Sequence, residues 1–231
     1  MLGRLLLLLL AVVMPVGAFA KTSIFGEAEV GVDDMYEFVC RHNPEFQREV
    51  AEAFYDIGSR YGIRGDVALC QAIVETGWFR FDNGTAVKPE AHNYCGLGVR
   101  RRGDEGCRFD SVDEGVTAMI QHLYAYASTK RLPKGERMVD PRFSYVRRGC
   151  ARTWEDLSGK WAMNGRYGKN ILRIYDGLSA FAKSAAKRGR KEVRRIEVVI
   201  PDEVLDSDSL DRISPEYVHD VDSTDVRNMF N

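Results

Sequence analysis

The sequence has no apolar run long enough to cross a bilayer: the longest, Leu5 to Val16, covers about twelve residues, whereas a helical span takes about 20. A multi-span membrane protein is thereby excluded. Net charge is nearly absent too, with 33 Lys and Arg against 34 Asp and Glu, so there is no global basic field of the kind that non-specific nucleic-acid binders use. Histidine is scarce. His42, His92, His122 and His219 are scattered without an H-E-x-x-H, and the five cysteines contain no C-x-x-C, which leaves a zinc site without support from spacing. Gly165-Arg-Tyr-Gly168-Lys-Asn170 lacks P-loop spacing, and no internal repeat is present.

What the chain does have is 231 residues, 45% of them apolar, enough for one core of ordinary size plus appendages. Its N-terminus has the layout of a secretory signal peptide over residues 1–20. Arg4 is the charged region, Leu5–Val13 the apolar region and Ala18-Phe19-Ala20 the small-x-small cleavage motif. The expectation is export, to the periplasm, the cell wall or the medium, without stable membrane insertion after cleavage. The residue directly after Ala20 is Lys21, not Cys, which disfavours a lipoprotein. Export makes disulfides permissible among Cys40, Cys70, Cys95, Cys107 and Cys150. Cys95 and Cys107 flank a Gly- and Arg-rich stretch and are the first candidates for a bridge, with connectivity left open. Cys70, inside an apolar helical run, reads as a small core residue.

Helical periodicity is clear in five places. Asn43 to Tyr61 is expected as an amphipathic helix capped by Asn43 with Pro44 in its first turn. Val67–Val74 is apolar nearly all round and is expected to run through the core. Ser111-Val-Asp-Glu114 has capping-box form and opens a third helix. Thr153–Trp161 and Gly168 to about Lys187 read as a short and a longer helix. Between them, Phe79–Phe109 is rich in Gly, Asn, Arg and Pro, which predicts loops and a short hairpin. The composition then shifts. Residues 183–195 carry seven basic and one acidic side chain, and residues 196–231 two basic and ten acidic. The basic run reads as a solvated helix end or a patch for an anionic surface. Ile196–Ile200 is a candidate strand, and the acidic remainder reads as a flexible tail. Asn83-Gly-Thr85 matches a glycosylation sequon.

Glu75 is the first charge after the all-apolar helix, where desolvation raises a carboxyl pKa toward what a general acid requires. Thr76-Gly77-Trp78-Phe79 then supplies a turn and aromatic surface suited to a sugar. The stretch Val67-Ala-Leu-Cys-Gln-Ala-Ile-Val-Glu-Thr-Gly-Trp-Phe79 resembles the segment around the catalytic Glu of the bacterial cell-wall glucosaminidases, glycoside hydrolase family 73. Asn93-Tyr-Cys-Gly-Leu-Gly98 is similar to that family's glycine loop. Phe109–Tyr126 is similar to its next helix, and Asp156-Leu-Ser-Gly-Lys-Trp-Ala162 through Tyr167-Gly-Lys-Asn-Ile-Leu172 to its closing segment. The likeness covers about residues 45–182.

The resemblance implies a mainly α (α+β), lysozyme-like domain over about residues 33–182, with a cleft and a small loop or β-hairpin lobe. It also implies hydrolysis of the β-1,4 bond after N-acetylglucosamine in peptidoglycan, with no metal or other cofactor. By matching position Glu75 is the catalytic acid and Tyr167 lines the site. Asp104 or Glu105 is expected in the role of second carboxylate, although this region is shortened; otherwise the substrate's own acetamido group assists. Asp82 and Glu90 are weaker candidates, and Asp110 belongs near a helix cap. Trp78, Asn93 and Tyr94 are the expected cleft residues, whereas Phe79 and Trp161 read equally well as core and His122 as a structural histidine. The enzymatic alternatives are a lytic transglycosylase or a muramidase of similar fold. A non-catalytic wall-binding or assembly protein is the alternative from another class. Peptidoglycan strands are the expected partner, nucleic acid is not, and residues 183–231 are the segment through which a protein partner would dock.

Overall fold

The computed structural model describes residues 21–82, 87–101 and 104–199, with side chains to 190. The expected signal segment 1–20, the sequon at Asn83–Thr85, and Ile200 with the acidic residues 201–231 lie outside the described residues. The described chain is mainly helical: α1 Val32–Cys40, α2 Arg48–Tyr61, α3 Gly65–Thr76, α4 Val112–Ala127 and α5 Tyr167–Val199, with single 3-10 turns between them. No strand is present among the described residues; isolated bridges pair Ser23 with Thr153 and Phe25 with Ile63. The described residues between 79 and 109 form loops and the 3-10 turn Pro89–Ala91 rather than the expected hairpin, and Cys95 and Cys107, the expected bridge, are free thiols.

α3 is the axis of the core. Every residue from Gly65 to Ile73 is buried, and α2 packs along it and along α4. Leu69, Ile73, Phe54, Ile57, Met119, Ile120 and Leu123 are all within 1% of complete burial, each contributing about 1.5–3 kcal/mol. The α2–α3 approach is close enough that a Cβ at Gly65 would sit 2.1 Å from the Phe54 carbonyl oxygen. A buried polar network fixes the start of α3. Arg64 Nη2 donates to Asp66 Oδ2 at 3.0 Å and to the Tyr175 hydroxyl at 2.6 Å, and Tyr175 donates to Glu29 Oε2 at 2.8 Å. In this way the N-terminal segment, α3 and α5 are held together.

Three boundaries differ from the sequence expectation. Asn43 does not cap α2: its Oδ1 accepts from the Glu45 N–H at 3.1 Å and its Nδ2 donates to the Trp78 carbonyl at 3.1 Å, so Asn43–Pro44 forms a turn and the helix starts at Arg48. The expected helix Thr153–Trp161 is only the 3-10 turn Glu155–Leu157, and α1 is an element the periodicity leaves unannounced. The candidate strand from Ile196 is helical through Val199, because α5 continues through the basic run. The capping box is present: Ser111 Oγ accepts from the Glu114 N–H at 3.1 Å, and Glu114 Oε2 from the Asp110 N–H at 3.0 Å. By compactness the chain divides into residues 1–181 and 182–231. In the second unit Lys183, Lys187, Arg188 and Arg190 are exposed.

Gly168 sets the entry of α5. A Cβ there would lie 2.2 Å from the Trp154 carbonyl oxygen and 2.5 Å from the Glu155 Cα, backbone atoms that cannot rotate away. Gly168→Ala is expected to destabilise by about 3 kcal/mol, a fall in Tm of roughly 6–12 °C for a domain of this size. Gly165→Ala, with nothing within 4 Å of the new Cβ, should leave the Tm unchanged; thermal melts of the two variants check this.

Candidate active site

Glu75 stands in the last turn of α3, four residues after Gln71, so the two side chains share one face. Across from them the first residue of α5, Tyr167, is 4% exposed. Gln71 Nε2 donates to the Tyr167 hydroxyl at 2.8 Å, and that hydroxyl donates to Glu75 Oε1. Trp161 Nε1 donates to the same carboxyl oxygen at 3.1 Å. Trp161 is presented by a tight turn in which the Gly159 N–H reaches the Ala162 carbonyl at 2.7 Å and the Trp161 N–H reaches Leu157 at 2.8 Å. Glu75, Thr76, Phe81, Asn93, Cys95 and Trp161 line a cleft of about 270 Å³.

Burial pushes the Glu75 carboxyl above its ordinary value of 4.5, while the hydrogen bonds from Tyr167 and then Trp161 pull it down; burial dominates. Tyr167 is driven well above its ordinary range by burial first and by the Glu75 charge second, so it remains a neutral donor. Both donors are spent on Oε1, which must therefore be an acceptor. A proton on Glu75 consequently sits on Oε2.

Beyond Glu75 the chain turns sharply. Gly77, Trp78 and Phe79 take left-handed φ values of 61°, 62° and 58°, costly for the aromatic residues. Thr76 steadies the turn, its Oγ1 donating to the Ala72 carbonyl at 2.7 Å and accepting from the Phe79 N–H at 2.9 Å. The same turn carries Trp78 away from the Glu75 cleft and onto α1, where its ring stacks on His42 at 3.6 Å and lies 5.7 Å from Phe38. Tyr94 is also absent from that cleft. It is 4% exposed, packs edge-on against Phe54 and Phe79, and borders a separate, larger hollow of about 910 Å³ together with Glu90.

Asn93 does border the cleft, but its amide is committed to the loop lobe. Nδ2 donates to the Leu97 and Cys107 carbonyls at 2.9 Å each, and Oδ1 accepts from the Leu97 N–H at 2.9 Å. Neither expected second carboxylate lines the cleft among the described residues. Asp104 Oδ2 accepts from the Arg100 and Arg101 N–H groups at 2.9 Å, closing a turn, and Glu105 is exposed. Asp82 pairs with Arg80 at 3.5 Å. His122 Nδ1 meets Asp140 Oδ2 at 2.7 Å, a satisfied histidine. The residue that sequence reasoning underweighted is Trp161. Its place in the closing motif, six positions before Tyr167, was the available signal. Among the described residues no group of three His, Cys, Asp or Glu side chains is arranged to hold a metal ion.

The model of the family described as mannosyl-glycoprotein endo-beta-N-acetylglucosaminidase matches residues 51–180, a span containing Glu75, Trp161 and Tyr167. A protein of Borreliella burgdorferi, described as uncharacterized, is 36% identical over 155 residues, which is 65% of this chain and 74% of that one. No solved structure matches.

A carboxyl that binds its proton more tightly folded than unfolded contributes stability that is whole below its unfolded value, 4.5, and is lost as pH rises through the folded one. Glu75→Gln stays neutral and still accepts the Tyr167 and Trp161 hydrogen bonds, so it escapes that loss. The Tm of the variant relative to the parent should therefore climb as pH rises from 4.5 through the raised Glu75 midpoint. Paired thermal melts measure this; a relative Tm that falls with pH would contradict the raised Glu75 value.

Proposed function

The chain belongs to the glucosaminidase family of glycoside hydrolases, and from that premise we propose that it cleaves the β-1,4 bond after N-acetylglucosamine in peptidoglycan, with Glu75 as general acid. The observation that carries this is the Glu75 carboxyl: half-buried at the cleft wall, raised by desolvation, and held through one oxygen by Tyr167 and Trp161. As the bond from the anomeric carbon to the leaving oxygen breaks, the proton on Oε2 passes to that oxygen. The carboxylate so formed is stabilised by the two donors already aimed at Oε1, whose hydrogen bonds strengthen as charge develops.

The open position at the anomeric carbon is taken, in our reading, by the carbonyl oxygen of the substrate's own 2-acetamido group. The commitment of Asp104 to the Arg100–Arg101 turn supports this over a second carboxylate. Water then opens the cyclic intermediate, giving its proton to the Glu75 carboxylate and restoring the acid. The product retains its anomeric configuration. We further propose export: Arg4, Leu5–Val13 and Ala18-Phe19-Ala20 support it, and peptidoglycan lies outside the cytoplasmic membrane. Residues 183–231 are the segment proposed for docking to a protein partner.

Purified peptidoglycan digested with the mature protein, borohydride-reduced and weighed by mass spectrometry is expected to show fragments ending in reduced N-acetylglucosamine. Glu75→Gln should lower turnover by about 10²–10⁴-fold, whereas Asp104→Asn and Glu105→Gln should keep most of it. Reduced N-acetylmuramic acid ends would make the protein a muramidase, and anhydro ends a transglycosylase. Binding of wall without any release, in parent and variant alike, would make it a binding protein. Loss in Asp104→Asn equal to that in Glu75→Gln would restore the second carboxylate.

A further inference from the structure

The Trp161 indole is a partition. Its Nε1 edge serves Glu75 on one side; its ring meets His122 at 5.0 Å and Tyr126 at 5.3 Å on the other. Behind those two rings lies a hollow of about 370 Å³ whose rim carries Arg142, Tyr145, Arg147 and Lys160. Arg142, Arg147 and Lys160 form no ion pair with an acid among the described residues. Arg142 lies 4.7 Å above the Tyr145 ring, and Tyr145 is 73% exposed, a large aromatic surface left open to solvent. Two cations nearby are engaged by carbonyls: the Arg148 guanidinium by Ser128 and Lys130 at 2.9 and 2.7 Å, and the Lys160 ammonium by Cys150.

The wall of this hollow is fixed from the core. Gln121, fully buried in α4, accepts from the Val139 and Asp140 N–H groups at 2.8 and 2.9 Å and so pins the strap that leads into Arg142. Asp140 is 2% exposed and turned inward, one oxygen on His122 and the other accepting the Arg142 N–H at 2.8 Å. Its charge is therefore already engaged. What remains at the rim is positive, with two guanidinium groups suited to carboxylates.

The glycan backbone of peptidoglycan is neutral; the anions of the polymer are the carboxylates of the peptide stems on its N-acetylmuramic acid residues. We propose that the His122–Tyr145 hollow is a subsite for a stem-peptide carboxylate, held by Arg142 and Arg147 with Lys160 beside them, and that it makes the protein prefer stem-bearing, acidic strands. This rests on the peptidoglycan reading above. It also gives the substrate an orientation across Trp161, with the bond to be cut on the Glu75 side and a stem on the cationic side.

The test is calorimetric titration, in low-salt buffer, of the full mature chain carrying Glu75→Gln, which binds without turnover. The ligands are a disaccharide-peptide with free stem carboxylates and the same molecule with those carboxylates amidated. The free acid is expected to bind about tenfold more tightly, and the preference to vanish in Arg142→Gln/Arg147→Gln. The exposed single change Arg147→Glu, which removes the same two units of charge, should also abolish the preference, and it carries the test if the double variant does not fold. Equal affinity for the two ligands, or a preference that survives both variants, overturns the subsite. The wall digestion described above separates the two claims: charge preference without turnover in the parent sinks the hydrolase alone, and turnover without charge preference sinks the subsite alone.

Discussion

A carboxyl group desolvated at the end of a helix is pressed to give up its charge or to find donors, and in this molecule half-buried Glu75 is held between the two outcomes. α3 can run through the core because it is apolar nearly all round, and that brings Glu75 to the wall of the cleft in a poorly solvated position. Tyr167 and Trp161 come from the other end of the sequence, 92 and 86 residues away. They reach the same oxygen only because α5 enters tightly at Gly168 and the Leu157–Ala162 turn presents the indole. Desolvation favours the protonated form; the two donors favour the ionised one. That balance is the property a general acid needs, and the rest of the fold can be understood as the frame that maintains it.

The surroundings of the cleft divide along the same lines. Away from the Glu75 cleft, on the side of α1 and the Gly77–Phe79 turn, aromatic rings pack on one another, with Trp78 stacked on His42 and Tyr94 edge-on to Phe54 and Phe79. Beyond Trp161 the surface becomes cationic, and its arginines have nothing acidic to satisfy them among the described residues. The cationic side of this division matches the acidic side branches of an otherwise neutral glycan.

Much of the helical frame was legible because local rules governed it. The apolar run of α3 announced a core helix, Ser111–Glu114 announced the start of α4, and Cys70 sat where an apolar run required a small buried residue. Glu75 stood out by being the first charge after that run, and Tyr167 by its place in the closing motif. Long-range geometry was not legible. Nothing local to Trp161 distinguishes a donor to Glu75 from a core residue, and nothing local to Trp78 reveals that consecutive left-handed residues swing it onto α1. Asn43 was misread for a related reason: Asn before Pro fits a helix cap and a turn equally well, and the distant Trp78 carbonyl decides for the turn. Asp104 illustrates the converse, a plausible catalytic acid absorbed by its own loop.

The central claim is the state of one carboxyl group, and it is tested most directly by carbon-13 NMR titration of Glu side-chain carboxyls in the folded protein, with Glu75→Gln identifying the resonance. Glu75 is predicted to titrate above 4.5, and to move further upward in Tyr167→Phe, because the lost hydroxyl favoured the ionised form. A midpoint at or below 4.5, or a downward shift in Tyr167→Phe, would contradict the account.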